Sequence, residues 1–598
     1  MRKLGMLLFL LALFAYIAAL FLNQYELREE TLNDLFTEEQ VAFLKKDSEL
    51  PIGKTFQYKQ GLLSAFNASI DRANAGITKK YGLEEAQLNV LEKLAKKNGA
   101  YNEETLQAVF SKSTAVSDFQ KQSLKDYTSW LFGENATENE NFRKNLNNAA
   151  EGINNSIAYK KGIDNQKSYL FGLIPASNKE LNFKLIRESG IGVLNSSWPW
   201  YFLLVFVLGL FGALMHILPK RKEPEGIKNN NIFFDSLNSR GAIGIILGTA
   251  LIFFYCILYW FPAYIAEWTQ MLDPLAQLMS GGNAGQWFLY GFLYTLAILV
   301  MGVRFLIKYR HNKYQQVRTF SIMFFQVSFA FIISNLLLKF NLPYMDFKNF
   351  WPLDYSFFFD YRINEMINAG TFGWFMLFWG IIGFLVLVPT LTYFFGKRWY
   401  CSWVCGCGGL AETVGDPFRQ QSDKSITAWK FERYIIHGVM VFAFFMTALV
   451  IYTYFTGEYT VFGMNSSSVR ESYAFLIGAG FSGVIGTGFY PLMGNRVWCR
   501  FGCPLAAYMG LVQRFKSRFR ITTNGAQCIS CGNCSTYCEM GIDVRHYAQR
   551  GQDIVRSSCV GCGICAAVCP RGVLKLENGP DDSRNIFEIT DGGIKVNV

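Results

Sequence analysis

Apolar residues along this chain gather into long runs separated by polar, largely basic connections. Eight runs stand out, at Leu4–Leu22, Trp198–Leu218, Gly241–Ala266, Gln286–Ile307, Thr319–Leu338, Thr371–Gly396, Tyr434–Phe455 and Tyr473–Met493. At 1.5 Å per residue, about twenty helical residues cross the roughly 30 Å hydrocarbon core of a bilayer. The pattern therefore predicts an α-helical polytopic membrane protein with about eight spans. The first run follows Arg2 and Lys3 and has no small-x-small cleavage site before Asn23, so residues 1–22 read as an uncleaved anchor. Between Asn23 and Asn195 the pattern changes. Leu83–Lys97 and Glu103–Phe110 place apolar residues three and four apart, as amphipathic helices do, and Gly99, Gly133 and the Asn-rich Asn145–Asn155 punctuate them as loops. Residues 23–195 are thus expected to form a helical domain, an interaction or spacer module with no motif of nameable chemistry. Residues 196–520 form the membrane domain.

The placement of charge supplies an orientation. Arg2/Lys3, Lys220/Arg221/Lys222/Lys228/Arg240, Lys308/Arg310/Lys313/Arg318, Lys397/Arg398/Arg419/Lys424/Lys430/Arg433 and Arg496/Arg500/Arg514/Lys516/Arg518/Arg520 occupy alternate connections. Beyond the domain at 23–195, the remaining connections hold only Lys339, Lys348, Arg362 and Arg470. Positive residues stay on the cytoplasmic side, so both termini are expected in the cytoplasm, residues 23–195 outside it, and the protein in the cytoplasmic membrane. The formal net charge of +11 then follows from topology, and no nucleic-acid partner is implied. The connection Phe340–Gly370 is rich in aromatics, including Phe347, Phe350, Trp351, Phe357, Phe358 and Phe359, and is expected to lie along the outer interface; a quinone role there is a lesser alternative.

Of the 598 residues, 51% are apolar and 16% aromatic, which agrees with a membrane protein. None of the fourteen cysteines precedes Cys256. That distribution argues against a disulfide scaffold and for reduced thiols serving as metal ligands. Eight of them form Cys528-x2-Cys531-x2-Cys534-x3-Cys538 and Cys559-x2-Cys562-x2-Cys565-x3-Cys569-Pro570, the bacterial ferredoxin run written twice. In two-cluster ferredoxins the fourth ligand of each run serves the other cluster. Cys528, Cys531, Cys534 and Cys569 would hold one [4Fe–4S] cluster, and Cys559, Cys562, Cys565 and Cys538 a second. A zinc ribbon does not call for two full quartets at this spacing. Residues 521–576 are therefore expected to be an α+β two-cluster ferredoxin module, followed by a tail, 577–598, without further ligands.

Two more cysteine pairs follow membrane spans. Cys401 and Cys405, with Cys407 as an extra candidate, come after Lys397-Arg398-Trp399-Tyr400, and Cys499 and Cys503-Pro504 come after Arg496-Val497-Trp498. If the backbone is helical, a spacing of four puts both sulfurs of a pair on one face. Four soft thiolates together suit an iron–sulfur centre, iron or Cu(I), so these residues are candidates for a further thiolate-bound metal centre. Cys256, alone in a span, reads as a packing residue. Covalent haem is not supported, because no Cys-x-x-Cys-His is present, and His216 and His437 make a thin case for b-type haem. The glycines from Gly478 to Gly488 do not follow a strand and read as close helix packing rather than a nucleotide loop.

Spans ending in paired Cys-x3-Cys-Pro motifs ahead of a two-cluster ferredoxin resemble the NosR/NapH-like membrane polyferredoxin family over approximately Thr371 to Lys575. The resemblance implies membrane-bound electron transfer, with quinol or a cytoplasmic donor feeding a redox partner protein. The family motif maps unchanged onto Cys499, Cys503 and Pro504. At Cys401 and Cys405 it departs, with Gly406 in place of Pro and Cys407 added. NosR-type proteins carry a flavin domain, but no Ser/Thr-Gly-Ala-Thr attachment motif occurs between Asn23 and Asn195, so FMN is not carried over. A second resemblance, to ferredoxin-type accessory proteins of cytochrome oxidase assembly, implies the alternative of a Cu(II)-to-Cu(I) reductase; their extra β domain is missing here. A third alternative is a redox-sensing assembly factor organised by residues 23–195.

Overall fold

The computed structural model describes residues 1–36, 41, 44–45, 49–81, 85–99, 101, 125, 142–148, 179–223, 241–457, 460–461, 463–524, 527–579, 587–590 and 593–596. The expected helix at 103–110, Gly133, the stretch 149–155, Lys228 and Arg240 lie outside the described residues. The chain divides into one unit of Met1–Ile17, Pro199–Tyr259 and Met271–Val598, and another of Ala18–Trp198 with Trp260–Gln270.

The second unit is mainly helical, with helices Lys59–Tyr81, Glu85–Asn98 and Lys179–Ser189. The three- and four-residue spacing within Glu85–Asn98 buries Leu88, Leu91 and Ala95 in one core with Phe66, Ile70 and Leu185. A small antiparallel sheet that the periodicity did not predict pairs Asn23–Glu26 with Thr55–Phe56 on one side and Gly190–Gly192 on the other. The segment Trp260–Gln270 also joins this core. Its buried Glu267 accepts hydrogen bonds from Tyr25 Oη and from Lys59 Nζ, the latter at 2.7 Å. The third span is accordingly shorter than the expected Gly241–Ala266. It ends at Trp260, because Phe261 leaves helical geometry and Pro262 has no N–H to continue the ladder.

Seven helices among the described residues are long and apolar enough to cross a membrane: Arg2–Phe21, Trp198–Lys222, Ala242–Trp260, Gln286–Lys308, Lys313–Lys339, Gly370–Phe395 and Ile426–Thr456. The chain is a multi-pass membrane protein. The eighth expected span, Tyr473–Met493, takes another form. A helix of eight residues, Ser466–Tyr473, continues as 12 residues of wider π-helical backbone, Ala474–Ile485. Its first turns carry Arg470 and Glu471, and the helix breaks before the short turn Tyr490–Met493, so it does not reach the apolar length of the other seven.

Most of the aromatics expected at the interface in the connection after Lys339 turn inward instead, although Phe340, Tyr344 and Tyr361 are exposed. Phe350, Trp351, Phe357 and Phe359 are all buried. Glycines on the facing helix Gly370–Ile382 and its continuation make room for the rings. A Cβ at Gly380 would stand 2.1 Å from Phe357 Cζ, and one at Gly383 would stand 2.1 Å from Phe350 Cε1. Trp351 Nε1 donates to Thr447 Oγ1 at 3.0 Å and Trp379 Nε1 to Phe347 O at 2.9 Å. A non-helical stretch is tolerated among spans when protein, rather than lipid, satisfies its polar groups.

The C-terminal module is α+β. Strand Phe519–Thr523 pairs antiparallel with Leu574–Asn578, with Phe519 opposite Asn578 and Thr523 opposite Leu574. Between them, two matching short helices, Asn533–Thr536 and Ile564–Ala567, each follow a left-handed glycine, Gly532 (φ 80°) and Gly563 (φ 76°). Each glycine turns the chain between two cysteines, Cys531/Cys534 and Cys562/Cys565. Within the tail, Phe587–Thr590 and Gly593–Val596 form a hairpin.

Candidate metal centres

Three groups of cysteines come together in the first unit. The outermost consists of Cys528, Cys531, Cys534 and Cys569, which line one pocket with Arg545 and Arg571. The fourth cysteine of the second run thus joins the first three of the first run. Cys531 is exposed and Cys534 buried. Burial pushes the Cys534 thiol up to about 11, against the pull of the Ser535 amide.

The inner group is the reciprocal set. Cys538, Cys559 and Cys565 act on one another electrostatically, and burial raises all three thiols. Cys538 Sγ accepts from Ile542 N at 3.4 Å. The thiol of Cys562 instead faces two carboxylates: the ligand atoms of Cys562, Glu412 and Glu539 lie within 4.8 Å of one another. The loop carrying this group is held from the membrane-side segments. Gln513 Nε2 donates to Arg556 O (2.7 Å) and Cys559 O (2.8 Å), Lys397 Nζ to Ser557 O (2.7 Å), and Ser402 Oγ to Val560 O (2.8 Å). Tyr314 Oη donates to Gly561 O (2.9 Å) and Gln315 Nε2 to Cys562 O (2.8 Å).

The third group is Cys401, Cys405, Cys499 and Cys503, all buried. Burial raises the Cys503 thiol, and Cys499, Cys401 and Cys405 raise it further, as sulfurs in one cluster do. The expectation that a continuous helix aligns each pair needs correction. Cys401 ends a short helix, Arg398–Cys401, and Cys405 caps the next, Gly406–Thr413. Cys503 likewise caps Pro504–Lys516, its Sγ accepting from Ala506 N at 3.4 Å. The two motifs share one wide turn, in which Cys405 N donates to Tyr400 O (2.8 Å) and Cys503 N to Trp498 O (2.9 Å). In each motif the acceptor is the aromatic residue before the first cysteine. The turn, rather than helical periodicity, brings the sulfurs together. Cys407 hydrogen-bonds Cys405, which with Lys348 lowers the Cys405 thiol against burial. Cys256 stands apart, half-buried on its span. His216 and His437 each bond a backbone carbonyl, those of Arg2 and Arg433.

A buried ionic network that the sequence did not announce joins the inner and membrane-side groups. Arg318 pairs bidentately with Glu412 at 2.7 and 2.8 Å. Arg419 reaches Glu412 at 2.8 Å and Glu539 at 2.6 Å, and Arg496 reaches Glu412 at 2.5 Å and Glu539 at 3.0 Å. Lys308 pairs with Asp416 at 2.6 Å. Burial works to raise the Glu412 carboxyl, but Arg318, Arg419 and Arg496 together hold it well below the usual carboxylate range. With three guanidinium groups on them, Glu412 and Glu539 read as counter-ions rather than as ligands of a further cation. That they share these arginines shows only once the separate segments fold together.

Comparison with known proteins adds the chemistry. A family model for a 4Fe–4S dicluster domain matches residues 527–574. A second model, for a 4Fe–4S binding domain, matches residues 376–425 and 474–522, the two segments that hold the membrane-side cysteine pairs. The chain is similar to "Putative electron transport protein YccM" of Escherichia coli (strain K12), at 28% identity over 172 residues, which is 27% of this chain and 46% of that protein. The match thus spans less than half of the relative's length. No solved structure matches. Together, the domain matches and this relative support iron–sulfur electron transfer.

Proposed function

We propose that this is a NosR/NapH-like cytoplasmic-membrane protein that passes electrons between a quinol or cytoplasmic donor and a membrane-bound or extracytoplasmic partner. Cys528, Cys531, Cys534 and Cys569 would hold one [4Fe–4S] cluster and Cys559, Cys562, Cys565 and Cys538 a second, with Cys401, Cys405, Cys499 and Cys503 holding a further thiolate-bound centre. Such clusters supply one-electron exchange when bound. The donor sets fit: soft sulfur in fours, with backbone N–H groups of Ser535, Gly561 and Ile542 aimed at the thiols, the kind of hydrogen bond that tunes cluster potentials.

One observation carries the reading. A single contiguous buried cluster contains Cys401, Cys405, Cys499 and Cys503 together with Cys534, Cys559 and Cys565, so sulfurs of the ferredoxin module and of the membrane-side pairs share one core. Exchange with a quinol is supported by a cavity of about 690 Å³ beside this core. Its aromatic walls include Trp287, Tyr290, Tyr294 and Tyr355, and its polar groups include Gln326, Asn349 and the Asp346–Lys348 pair at 2.7 Å, with Cys407 exposed to it. That composition suits a planar ring bearing carbonyls.

For orientation, the helical run 466–485 is proposed as an eighth crossing. With it both termini return to the basic, cytoplasmic side and residues 23–195 lie outside. The test is rapid anaerobic mixing of the reduced protein with a short-chain quinone, followed by EPR. Reoxidation of the clusters that slows at least tenfold in Cys499→Ser, with the ferredoxin clusters intact, is expected. Equal rates in both proteins would remove the membrane-side thiols from the path.

A further inference from the structure

We infer that the buried hub of Arg496, Glu412, Glu539 and Arg419 ties the potential of the inner cluster site to that of the membrane-side thiol site, with Arg496 as its positioning residue. This rests on the proposed assignment of those sulfurs as iron–sulfur ligands. A single guanidinium touches the membrane-side site directly and reaches the inner one through Glu539. Nη1 of Arg496 lies 3.1 Å from Cys401 O and 3.8 Å from Cys499 Sγ, while Nη2 reaches Glu412 and Glu539. Glu539 is the residue after Cys538, and its carboxylate faces Cys562. The same arginine thus contacts both cysteines' neighbourhoods, one on each side.

Charge and burial make the contact consequential. Arg318, Arg419 and Arg496 are no more than 1% exposed, as are Glu412 and Glu539, so solvent and salt screen little between them. Among the described residues the four buried cations Lys308, Arg318, Arg419 and Arg496 meet three carboxylates, Glu412, Asp416 and Glu539, leaving one positive charge in excess. Arg304 stands at the edge, 3.5 Å from Asp416. Cysteines ligating metal on either side would be thiolates and would complete the balance. With iron–sulfur centres held by these thiols, each transfer would move a single electron from a reduced to an oxidised centre, with no bond made or broken. A centre that gains an electron gains a negative charge, which the hub cation favours and the hub carboxylates oppose. The outer quartet is the built-in control: none of the residues lining its pocket belongs to the hub, and its neighbours Arg545 and Arg571 are exposed.

An EPR-monitored redox titration of the full chain, purified without oxygen in detergent, tests this. Arg496→Gln is expected to lower the potentials of the inner and membrane-side centres by about tenfold in the reduction equilibrium, or 59 mV for one electron. The near-isosteric Glu539→Gln should raise them by a similar factor, and it keeps the test available where Arg496→Gln does not fold. Arg496→Lys should restore most of the shift, and the outer cluster should stay within about threefold in every variant. A merely structural role would not give opposite signs for the two substitutions. Shifts of the same sign, shifts shared equally by the outer cluster, or no shift at all would overturn the inference. Clusters present but unmoved would defeat the inference alone, whereas an unsubstituted protein without iron–sulfur signals would defeat the functional reading beneath it.

Discussion

The outer and inner cysteine quartets share one spacing, yet the structure treats them differently. The outer set sits at the surface with Cys531 exposed and two exposed arginines beside it. The inner set is gripped by Gln513, Lys397, Ser402, Tyr314 and Gln315, side chains from elsewhere in the unit, and backed by the ionic network. Duplicated sequence therefore supplies ligands, while the surroundings supply difference. Under the proposed function, the exposed copy would be the one to meet a partner and the enclosed copy the one to pass electrons on inside the protein.

The largest effect that would break this contrast is removal of the shared carboxylate. Glu412→Ala leaves Arg318, Arg419 and Arg496 short of a counter-ion in a dry interior, an expected loss of about 3–5 kcal/mol, read as a fall in thermal stability of the purified protein. A comparable change at the outer set should not approach it. Next comes Gln513→Ala. It strands the buried Cys559 carbonyl and the Lys397 amide, at about 1–3 kcal/mol for each group left unsatisfied, while the Arg556 carbonyl keeps its bond from Cys559 N. Iron analysis during partial denaturation should show the inner site emptying before the outer one, the reverse of the order in the unsubstituted protein.

A matched glycine pair sharpens the comparison further. Gly532→Ala and Gly563→Ala both force a left-handed alanine, costing roughly 1–2 kcal/mol. At Gly563 the new Cβ would also stand 2.8 Å from Tyr314 Cε1, whereas at Gly532 the nearest atom is Arg545 Nη1 at 3.9 Å. Denaturant unfolding should therefore show Gly563→Ala as the more damaging of the two. The smallest effect is expected at Arg545→Ala, an exposed side chain whose loss should change stability by no more than about 0.5 kcal/mol. A larger change would mean that the outer site leans on its surroundings as the inner one does.

Much of this was legible in the chain. Apolar runs located seven spans, although the helices expected at Thr319 and Tyr434 begin earlier, at Lys313 and Ile426, and the third ends sooner, at Trp260; the cysteine spacing placed Cys569 with Cys528, Cys531 and Cys534, and the four line one pocket. Spacing is a local property and survives translation into structure. The inward course of Phe350, Trp351 and Phe357 was not legible, because aromatic residues suit both an interface and a core. What decides is a pair of glycines, Gly380 and Gly383, on a different helix. The break at Phe261–Pro262 was visible in principle, since proline stops a helix, but the apolar run continued past it and concealed the change of unit. The ionic hub could not have been read at all. Arg318, Glu412, Arg496 and Glu539 look like ordinary charges of polar connections until the fold excludes water from them.

The measurement that bears most directly on the account is iron and sulfide content, with EPR of the dithionite-reduced protein prepared without oxygen, for the unsubstituted chain and for Cys531→Ser and Cys562→Ser. Two ferredoxin clusters require about eight irons, with more if the membrane-side thiols also bind iron. Each serine variant should lose one distinct signal and keep the other. Zinc in place of iron, or spectra that neither substitution alters, would contradict it.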